Sequence, residues 1–304
     1  MKVLITGVSS FTGSHIGRAF VEAGYEVAAT QTQSLASYIN PLQKERLEFS
    51  KISHFFQNSA FGSDNFLKNI EDFKPDVFVN HGAAIKGYRE LSFDVQKCVS
   101  QNLVNCDSSF KVLSKTVQLF LHSSSIFEED DERGYSAMSP YGIAKAEIWK
   151  KCKSVLDIYR LPYARIVIPD PVGAFENPDR LGPVFFRNWK QNISSKIVNP
   201  LYVWDRVPAP WLAKVYVDAV SDFINSKNIK NTYRPSAFVE NNRSWAYRMK
   251  DLFEENTHMT IPAFLVQGDQ TGERVGVDKI SFCDKNTKEF MNDYAEWLLR
   301  SVLA

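Results

Sequence analysis

The sequence predicts an α/β protein built on a parallel β-sheet that carries helices on both faces. A short apolar strand at residues 3–5 leads through a glycine-containing turn into an amphipathic helix that ends at Gly24. Strand and helix patterns then alternate along the first half of the chain, which is typical of parallel sheets. With 304 residues, of which 44% are hydrophobic, the chain is long enough to bury a substantial core.

The predicted elements follow one another in a regular order. After the first strand and helix, the patterns predict a strand at residues 26–30, a buried strand at 76–80, a helix at about 93–114, a strand at 118–122, a helix at about 141–160 and a strand at 164–168. In such a sheet, ligands bind beyond the carboxyl ends of the strands. The candidate site residues lie at these ends.

The composition of the chain changes after Ile168, where we place a domain boundary. Residues 169–210 are rich in Pro, Asn, aromatic and Arg residues, and prolines divide them into loops and short elements. We therefore expect a large domain at residues 1–168 and a smaller, interleaved domain, mostly residues 169–304, that binds the substrate. A helix near 211–226 is expected to pack back onto the large domain.

Charge and cysteine content restrict the classes of function. The 36 basic and 35 acidic residues nearly cancel, so nothing favours a nucleic acid or an anionic membrane as partner. Four widely spread cysteines without a Cys-x-x-Cys pair favour a reducing cytoplasm and predict no metal site. The N-terminus has the pattern of a core strand, and no apolar run approaches a bilayer span. We therefore expect a soluble, cytoplasmic protein.

The first turn has the composition of a dinucleotide-binding site. It runs Thr6-Gly7-Val8-Ser9-Ser10-Phe11-Thr12-Gly13 between the first strand and the first helix. One glycine allows a sharp turn, the other allows helix and strand to approach closely, and N–H groups at the helix start can bind a pyrophosphate. Such turns also occur for packing reasons alone. The candidate cofactor-binding residues here are Gly7, Ser9, Ser10, Phe11, Thr12 and Gly13.

A second motif, Tyr141-Gly142-Ile143-Ala144-Lys145, lies on the helix predicted at about 141–160. Tyr141 and Lys145 are four residues apart, so their side chains share one helix face. A tyrosine phenol has a pKa near ~10, but a nearby ammonium group and a positively charged nicotinamide favour the phenolate. The pair could then exchange a proton with a sugar hydroxyl or a carbonyl. The alternative is an ordinary surface helix, and the upstream turn favours the catalytic interpretation.

Together the two motifs resemble the extended short-chain dehydrogenase/reductase family, of the NAD(P)-dependent epimerase/dehydratase type. The resemblance covers residues 1 to about 220 and implies a Rossmann-type doubly wound sheet. It also implies a catalytic serine three residues before a Val-Tyr or Val-Phe pair. Ile126-Phe127 matches that pair and selects Ser123. If the serine run is aligned by its last member, Ser125, otherwise a substrate contact, takes the catalytic role.

Further segments extend the resemblance. Asn80-His81-Gly82-Ala83-Ala84 is similar to the family's segment beneath the cofactor, and Asn102 is similar to its structural asparagine. Pro169-Asp170-Pro171-Val172-Gly173-Ala174 resembles the Asn-Pro-Val-Gly-Ala segment that lies by nicotinamide and substrate in UDP-galactose 4-epimerases. The resemblance thus adds a substrate contact at Asp170 and these cofactor-binding residues: Ala83, Ala84, Asn102, Tyr141, Lys145, Pro169 and Val172.

Departures from the family pattern bear on the cofactor. Ser10 replaces the middle glycine of the turn, which is tolerable if that position has a negative φ. Gln31 stands at the end of the strand at 26–30, where an NAD-preferring enzyme places an acidic residue for the adenosine ribose. Because residues 30–33 carry no negative charge to repel a ribose phosphate, the expectation is NADP or NAD with a slight preference for NADP.

Departures near the substrate bear on the reaction. Ser124-Ser125 replaces the acidic pair of nucleotide-sugar 4,6-dehydratases, which counts against a dehydratase. Val203-Trp204-Asp205-Arg206 stands where the family has Val-Arg-Asp, so Arg206, with Arg180, is a candidate substrate contact at a nucleotide diphosphate. In the alternative, the substrate has no diphosphate clamp, and Arg180 and Arg187 are solvated loop charges.

These observations predict an NAD(P)-dependent oxidoreductase or epimerase that acts on a nucleotide-activated sugar, as a 4-ketosugar reductase or an epimerase. Tyr141 would exchange the proton, Lys145 would lower the pKa of Tyr141 and hold the nicotinamide ribose, and Ser123 would polarise the carbonyl. The alternatives are a reductase of a non-sugar carbonyl and a catalytically weak dinucleotide-binding regulator. Such regulators commonly lose the Tyr or the Lys, and this chain keeps both. A homodimer is compatible with the sequence.

Overall fold

The computed structural model describes residues 1–226 and 229–303. Strands and helices alternate through the first part of the chain. They are β1 (Lys2–Thr6), α1 (Phe11–Glu22), β2 (Glu26–Thr30), α2 (Pro41–Phe49), β3 (His54–Phe56), α3 (Asp64–Phe73), β4 (Val77–Asn80), α4 (Val95–Asn102), α5 (Cys106–Leu113), β5 (Leu119–Ser125), α6 (Pro140–Tyr159) and β6 (Tyr163–Ile168).

Shorter strands dominate the remainder of the chain. The elements are β7 (Asp170–Val172), α7 (Leu181–Lys190), β8 (Lys196–Val198), β9 (Val203–Pro208), α8 (Ala209–Ser226), β10 (Thr232–Tyr233), β11 (Pro235–Ser236), β12 (Phe238–Asn241), α9 (Asn242–Thr257), β13 (Leu265–Gln267), β14 (Glu273–Arg274), β15 (Asp278–Lys279) and α10 (Asp284–Leu303). None of the helices in the described residues is both long and apolar enough to cross a lipid bilayer.

The chain divides into two compact units. Unit 1 comprises Met1–Ile168 and Leu212–Tyr233, and unit 2 comprises Pro169–Trp211 and the described residues from Arg234 onward. The chain first passes from unit 1 to unit 2 at Ile168, the residue after which the composition of the sequence changes.

Unit 1 contains a seven-stranded sheet in the order β10-β6-β5-β4-β1-β2-β3, and every neighbouring pair is parallel. The strand order reverses direction beside β1, so the carboxyl ends of β1 and β4 flank the point where ligands of doubly wound sheets bind. The predicted α/β fold with a Rossmann-type doubly wound sheet is confirmed.

Aromatic side chains fill the core behind β4 and β5. Phe78 on β4 and Phe110 on α5 both pack against Phe120 on β5, with ring centroids 5.5 and 5.2 Å away. All three side chains are fully buried. Each contributes about 1.5–3 kcal/mol of hydrophobic stabilisation relative to an exposed ring. This core holds the carboxyl ends of both strands in a fixed position beneath the candidate site.

The prediction of one continuous helix at about 93–114 is wrong, because the structure has two helices there, α4 and α5. Asn105 between them adopts a left-handed conformation with φ +46°, which an α-helix does not continue. Its side-chain Nδ2 donates to the carbonyl of Gly62 at 2.8 Å, a bond that compensates for the interruption.

Strand β5 is longer than the predicted strand at 118–122. It pairs with β6 as far as Ser125, which lies opposite Ile168, and all seven of its residues are buried. The serines at positions 123–125 therefore belong to a buried central strand. Side chains of successive strand residues point to opposite faces of a sheet, so neighbouring serines have different surroundings.

Unit 2 contains several small sheets and an aromatic core. Strand β9 pairs with β12, β14 and β7. Phe186 and Trp189 on α7 pack against Phe253 on α9, with ring centroids 5.2 and 5.4 Å from it. This packing positions the loop between β7 and α7, which carries the charged residues described below.

Candidate active site

The turn between β1 and α1 requires its two glycines. Gly7 has φ +78°, and a Cβ atom there would lie 2.5 Å from the Cα atom of Gly82. A Cβ atom on Gly13 would lie 2.2 Å from the carbonyl oxygen of Gly7. Ser10 has φ −84°, a region open to any residue, and its hydroxyl caps α1 by accepting from the Gly13 N–H at 3.2 Å. The turn is thus closely packed and leads directly into the helix N-terminus.

His81, just after β4, links this turn to β5. Its Nε2 lies 3.1 Å from Ser10 Oγ and 3.0 Å from Thr12 Oγ1, and its Nδ1 lies 2.8 Å from Ser123 Oγ. Burial lowers the pKa of His81 to about 3, and the positive charge of Lys145 adds to this effect. The imidazole is therefore neutral at neutral pH, with one nitrogen donating and the other accepting.

Gln31 lies at the carboxyl end of β2, where the sequence places the adenosine ribose. Its Oε1 accepts a hydrogen bond from the Tyr38 hydroxyl at 2.5 Å. Its Nε2 is buried and has no hydrogen-bond partner among the described residues. An unpaired buried donor is costly, and an oxygen of a ribose or a ribose phosphate would satisfy it. The turn between β1 and α1 and the unpaired amide of Gln31 both fit a dinucleotide.

Helix α6 carries Tyr141 and Lys145. Ser139 caps its first turn by accepting from the Gly142 N–H at 3.2 Å. A Cβ atom on Gly142 would lie 2.0 Å from the carbonyl oxygen of Phe127, so the helix start packs tightly against the segment after β5. This close approach allows Lys145 Nζ to donate to the backbone carbonyl of Ser123 at 2.7 Å.

Tyr141 contacts the last serine of β5. Its phenol lies beside the Ser125 side chain, whose hydroxyl accepts from the Phe127 N–H at 3.2 Å, and its ring lies against Tyr88, with centroids 5.3 Å apart. Burial raises the pKa of Tyr141 and the negative charge of Glu128 raises it further, while the neighbouring Ser125 side chain lowers it. The phenol is therefore protonated unless a further positive charge lies beside it.

The three serines of β5 have three different sets of partners. The Ser123 hydroxyl lies 2.8 Å from His81 Nδ1 and 2.7 Å from the Tyr216 hydroxyl. The Ser124 hydroxyl donates to Glu128 Oε2 at 2.9 Å. Among the causes that shift the pKa of Tyr141, the neighbouring serine is Ser125. The Ser123 hydroxyl is engaged on both sides, so this geometry favours Ser125 for the catalytic role, and the selection of Ser123 by the Ile126-Phe127 pair stays a prediction.

Asn102 fixes the segment that follows β4. Its Oδ1 accepts from the Ala84 N–H at 2.8 Å, and its Nδ2 donates to the carbonyls of Ala84 and Cys98 at 3.2 and 2.8 Å. These contacts agree with the structural asparagine that the resemblance implies. Because the amide is fully engaged, they favour an indirect role for Asn102, as a support for Ala83 and Ala84, over direct cofactor contact.

Unit 2 contains the remaining predicted residues. Arg180 is largely buried, and its Nη2 lies 2.6 Å from Asp170 Oδ1 while its Nε lies 2.8 Å from Glu176 Oε2. The alternative of a solvated loop charge is therefore wrong for Arg180. Arg187, in contrast, is half-buried, and its Nη1 donates to the backbone carbonyl of Pro178 at 3.0 Å. The roles expected for Pro169 and Val172, which also belong to this unit, stay predictions.

Arg206 is buried in unit 2. Its Nη2 donates to Asn242 Oδ1 at 2.6 Å, and its guanidinium lies over the ring of Trp245. Its Nε is 3.5 Å from Asp170 Oδ2, and its Nη1 has no hydrogen-bond partner among the described residues. Asp205, its neighbour, accepts from two backbone N–H groups and is structural.

Two residues beside the serines escaped prediction from the sequence. Glu128 begins the acidic run Glu128-Glu129-Asp130-Asp131-Glu132, which has the pattern of a solvated loop, yet Glu128 alone is buried under β5. Tyr216 lies on α8 at a spacing typical of core aromatics. Neither position carries a local signal that separates a site residue from an ordinary loop or core residue.

Comparisons with known proteins agree with the fold. The profile of the NAD dependent epimerase/dehydratase family matches residues 3–209. An uncharacterized oxidoreductase of Schizosaccharomyces pombe is 25% identical over 237 residues, which cover 66% of this chain and 68% of that protein. Protein CapI of Staphylococcus aureus is 24% identical over 195 residues, covering 59% of this chain and 57% of that protein.

Solved structures of low sequence identity share the fold along almost the whole chain. A UDP-glucose 4-epimerase from Thermotoga maritima with UDP-glucose has a TM-score of 0.73 at 16% identity, with 100% of both chains covered. A UDP-glucuronic acid 4-epimerase from Bacillus cereus in complex with NAD has a TM-score of 0.73 at 17% identity, with 99% of this chain and 100% of that chain covered. With the family profile matching more than half of its residues, the chain belongs to the NAD dependent epimerase/dehydratase family and is an enzyme of the extended short-chain dehydrogenase/reductase type.

Proposed function

We propose that this enzyme transfers a hydride between a nicotinamide dinucleotide and a carbon of a nucleotide-activated sugar, as a 4-ketosugar reductase or an epimerase. The observation that carries the proposal is the position of the Tyr141 phenol beside the Ser125 side chain at the carboxyl end of β5, the strand whose Ser123 carbonyl accepts from the Lys145 amine. Membership of the family supports the same chemistry.

Each residue of this group has a distinct task. A bound dinucleotide supplies the hydride donor or acceptor and, when oxidised, a positive charge. Tyr141 holds the proton that is exchanged with the sugar oxygen, since burial keeps its phenol protonated at rest. The Lys145 ammonium favours the phenolate once the proton has left. Ser125, beside Tyr141, donates to the reacting oxygen. General acid–base catalysis of this kind accelerates reactions ~10²–10⁴-fold.

The dinucleotide would be held by the turn and by β2. The helix start at Phe11, Thr12 and Gly13 would bind the pyrophosphate, because N–H groups and the helix dipole favour an anion there. The orphaned Nε2 of Gln31 would donate to the adenosine ribose or to a phosphate on it. Because Gln31 is uncharged, it repels neither form, and we infer a slight preference for NADP over NAD.

Two observations in unit 2 favour different substrates. The unpaired Nη1 of buried Arg206 favours an anionic group such as a nucleotide diphosphate. Arg180, however, is already neutralised by Asp170 and Glu176, which favours the second candidate, a carbonyl compound without a nucleotide. Turnover of a UDP- or dTDP-linked 4-ketosugar, compared with the same sugar lacking the nucleotide, separates the two.

The test begins with the identity of the dinucleotide that copurifies with the chain, determined by mass spectrometry. Tightly retained NAD would indicate an epimerase, and exchangeable NADPH a reductase. Tyr141→Phe should then lower turnover by ~10²-fold or more and leave the dinucleotide dissociation constant nearly unchanged. Tyr159→Phe, on the same helix, is the matched control. Undiminished turnover of Tyr141→Phe would remove Tyr141 from the mechanism, and failure to bind either dinucleotide would overturn the proposed function.

A further inference from the structure

Glu128 is a buried carboxylate that no motif of the sequence explains. It is 1% exposed and follows β5 by three residues. Its Oε2 accepts from the Ser124 hydroxyl at 2.9 Å, and its Oε1 accepts from the Ser125 N–H at 2.6 Å. Both carboxylate oxygens are thus engaged with the serines at the end of β5. A charge buried in this way is costly unless it is paired and hydrogen-bonded.

Lys145 and Glu128 hold consecutive residues of the same strand. The Lys145 amine donates to the carbonyl of Ser123, and the Glu128 carboxylate accepts from Ser124 and Ser125. An acidic and a basic side chain therefore hold the same three-residue segment. Arg165, on the adjacent β6, places its Nη2 3.3 Å from Glu128 Oε2 and adds a second positive charge on that side.

Burial disfavours the charged forms of Lys145 and Glu128, and each of the two groups favours the charged form of the other. Burial lowers the pKa of Lys145, and the negative charge of Glu128 counteracts this shift. Burial raises the pKa of Glu128, and the charges of Lys145 and Arg165 counteract that shift. Without the carboxylate, Lys145 would be a buried ammonium close to a second cation and would lose its proton more readily.

We propose that Glu128 is the positioning residue of this site, fixing the Ser125 backbone and keeping the Lys145 amine positively charged. The proposal rests on the proposed function for the roles of Ser125 and Lys145. The charged and titratable groups that face the carboxylate are Lys145 and Tyr141 from α6 and Arg165 from β6. At Tyr141 the carboxylate adds to the raising of the pKa that burial causes. Lys145 is therefore the informative group to measure.

The experiment is a titration of the Lys145 amine by nuclear magnetic resonance. The full chain is labelled with ¹³C at the lysine Cε position, and the resonance that Lys145→Arg removes is assigned to Lys145. In Glu128→Gln, which keeps the side-chain size and loses the charge, we expect the acid dissociation constant of Lys145 to rise ~10-fold or more. The matched control is Glu129→Gln, which removes the neighbouring, more exposed carboxylate that pairs with Lys150. It should leave the Lys145 titration unchanged.

Each outcome decides the proposal. An unchanged Lys145 titration in folded Glu128→Gln, or a neutral Lys145 at pH 7 in the wild type, would overturn it. If Glu128→Gln does not fold, Glu128→Asp decides, since it keeps the charge and moves it by one methylene. If the acid dissociation constant of Lys145 in Glu128→Asp stays within about 3-fold of the wild-type value, the charge of residue 128 is what matters, as proposed. A ~10-fold change would show that the fit of the side chain matters instead, and would refute the proposal.

The titration needs neither dinucleotide nor substrate, so it is independent of the proposed function. Failure of the wild-type chain to bind NAD or NADP would refute the proposed function and leave the Lys145 result as measured. Intact binding and turnover with an unshifted Lys145 in Glu128→Gln would refute only the role of Glu128.

Discussion

His81 should make the stability of unit 1 depend on pH, and His81→Gln should remove the part of the dependence that His81 contributes. Buried His122 on β5, whose pKa burial also lowers, keeps its own part in both proteins. Burial lowers the pKa of the folded-state imidazole to about 3, with a further contribution from the charge of Lys145. In the unfolded chain, a histidine has a pKa of ~6.5. Glutamine retains an amide that can bond Ser123 but does not titrate.

The sign and the size follow from proton linkage. Below pH ~6.5 the unfolded chain binds a proton at His81 and the folded chain does not, so stability rises with pH in this range. The contribution is complete above pH ~6.5 and is lost as the pH falls towards 3. At ~1.36 kcal/mol per pH unit, the loss between pH 7 and pH 5 is about 2 kcal/mol. Because the imidazole is partly accessible to solvent, we take this figure as an upper value.

Hydrogen exchange of the backbone amides of β1, β4 and β5 measures the free energy of the opening reactions that expose these strands of unit 1. After correction for intrinsic exchange, protection in the wild type should fall by up to about 30-fold more between pH 7 and pH 5 than protection in His81→Gln. His54→Gln, at an exposed position on β3, should behave as the wild type. Equal pH dependence of wild type and His81→Gln would show that His81 is not held neutral in the folded state.

Two further predictions concern the serines and the cofactor. Ser125→Ala should lower turnover by ~10²-fold at unchanged dinucleotide affinity. Ser123→Ala should mainly lower the melting temperature, because the Ser123 hydroxyl joins His81 and Tyr216. The opposite pattern would show that Ser123 is the catalytic serine. Gln31→Asp should shift the ratio of NADP to NAD dissociation constants by ~1–3 kcal/mol in favour of NAD, measured by calorimetric titration, and an unchanged ratio would place the ribose elsewhere.

The fold could be predicted because its signals are local. Alternation of strands and helices, and the spacing of Tyr141 and Lys145 on one helix face, can each be recognised within a short window of sequence. The interruption between α4 and α5 depends instead on Asn105, whose left-handed conformation is stabilised by a bond to distant Gly62. A contact across 43 residues leaves no periodic pattern in the sequence.

Charged residues were harder to predict than apolar ones. An isolated arginine or an acidic run most often indicates a solvated surface. Arg180 departs from this rule because Asp170 and Glu176, ten and four residues away, fold back onto it. Glu128 departs from it because β5 continues three residues beyond the predicted end, which brings the start of the acidic run under the strand.

The serine run shows why a motif can identify a site and still misplace its reactive group. A pattern such as Ile126-Phe127 fixes a position along the chain, whereas the direction of a hydroxyl is fixed by strand pairing and by competing partners. On β5, Ser124 engages Glu128, and the Ser123 hydroxyl is held by His81 and Tyr216. The Ser125 hydroxyl accepts from the Phe127 N–H at 3.2 Å, and its side chain lies beside the Tyr141 phenol. Because a hydroxyl that already has a donor and an acceptor must break a bond to reach a substrate, Ser125 is the better candidate for the reacting oxygen.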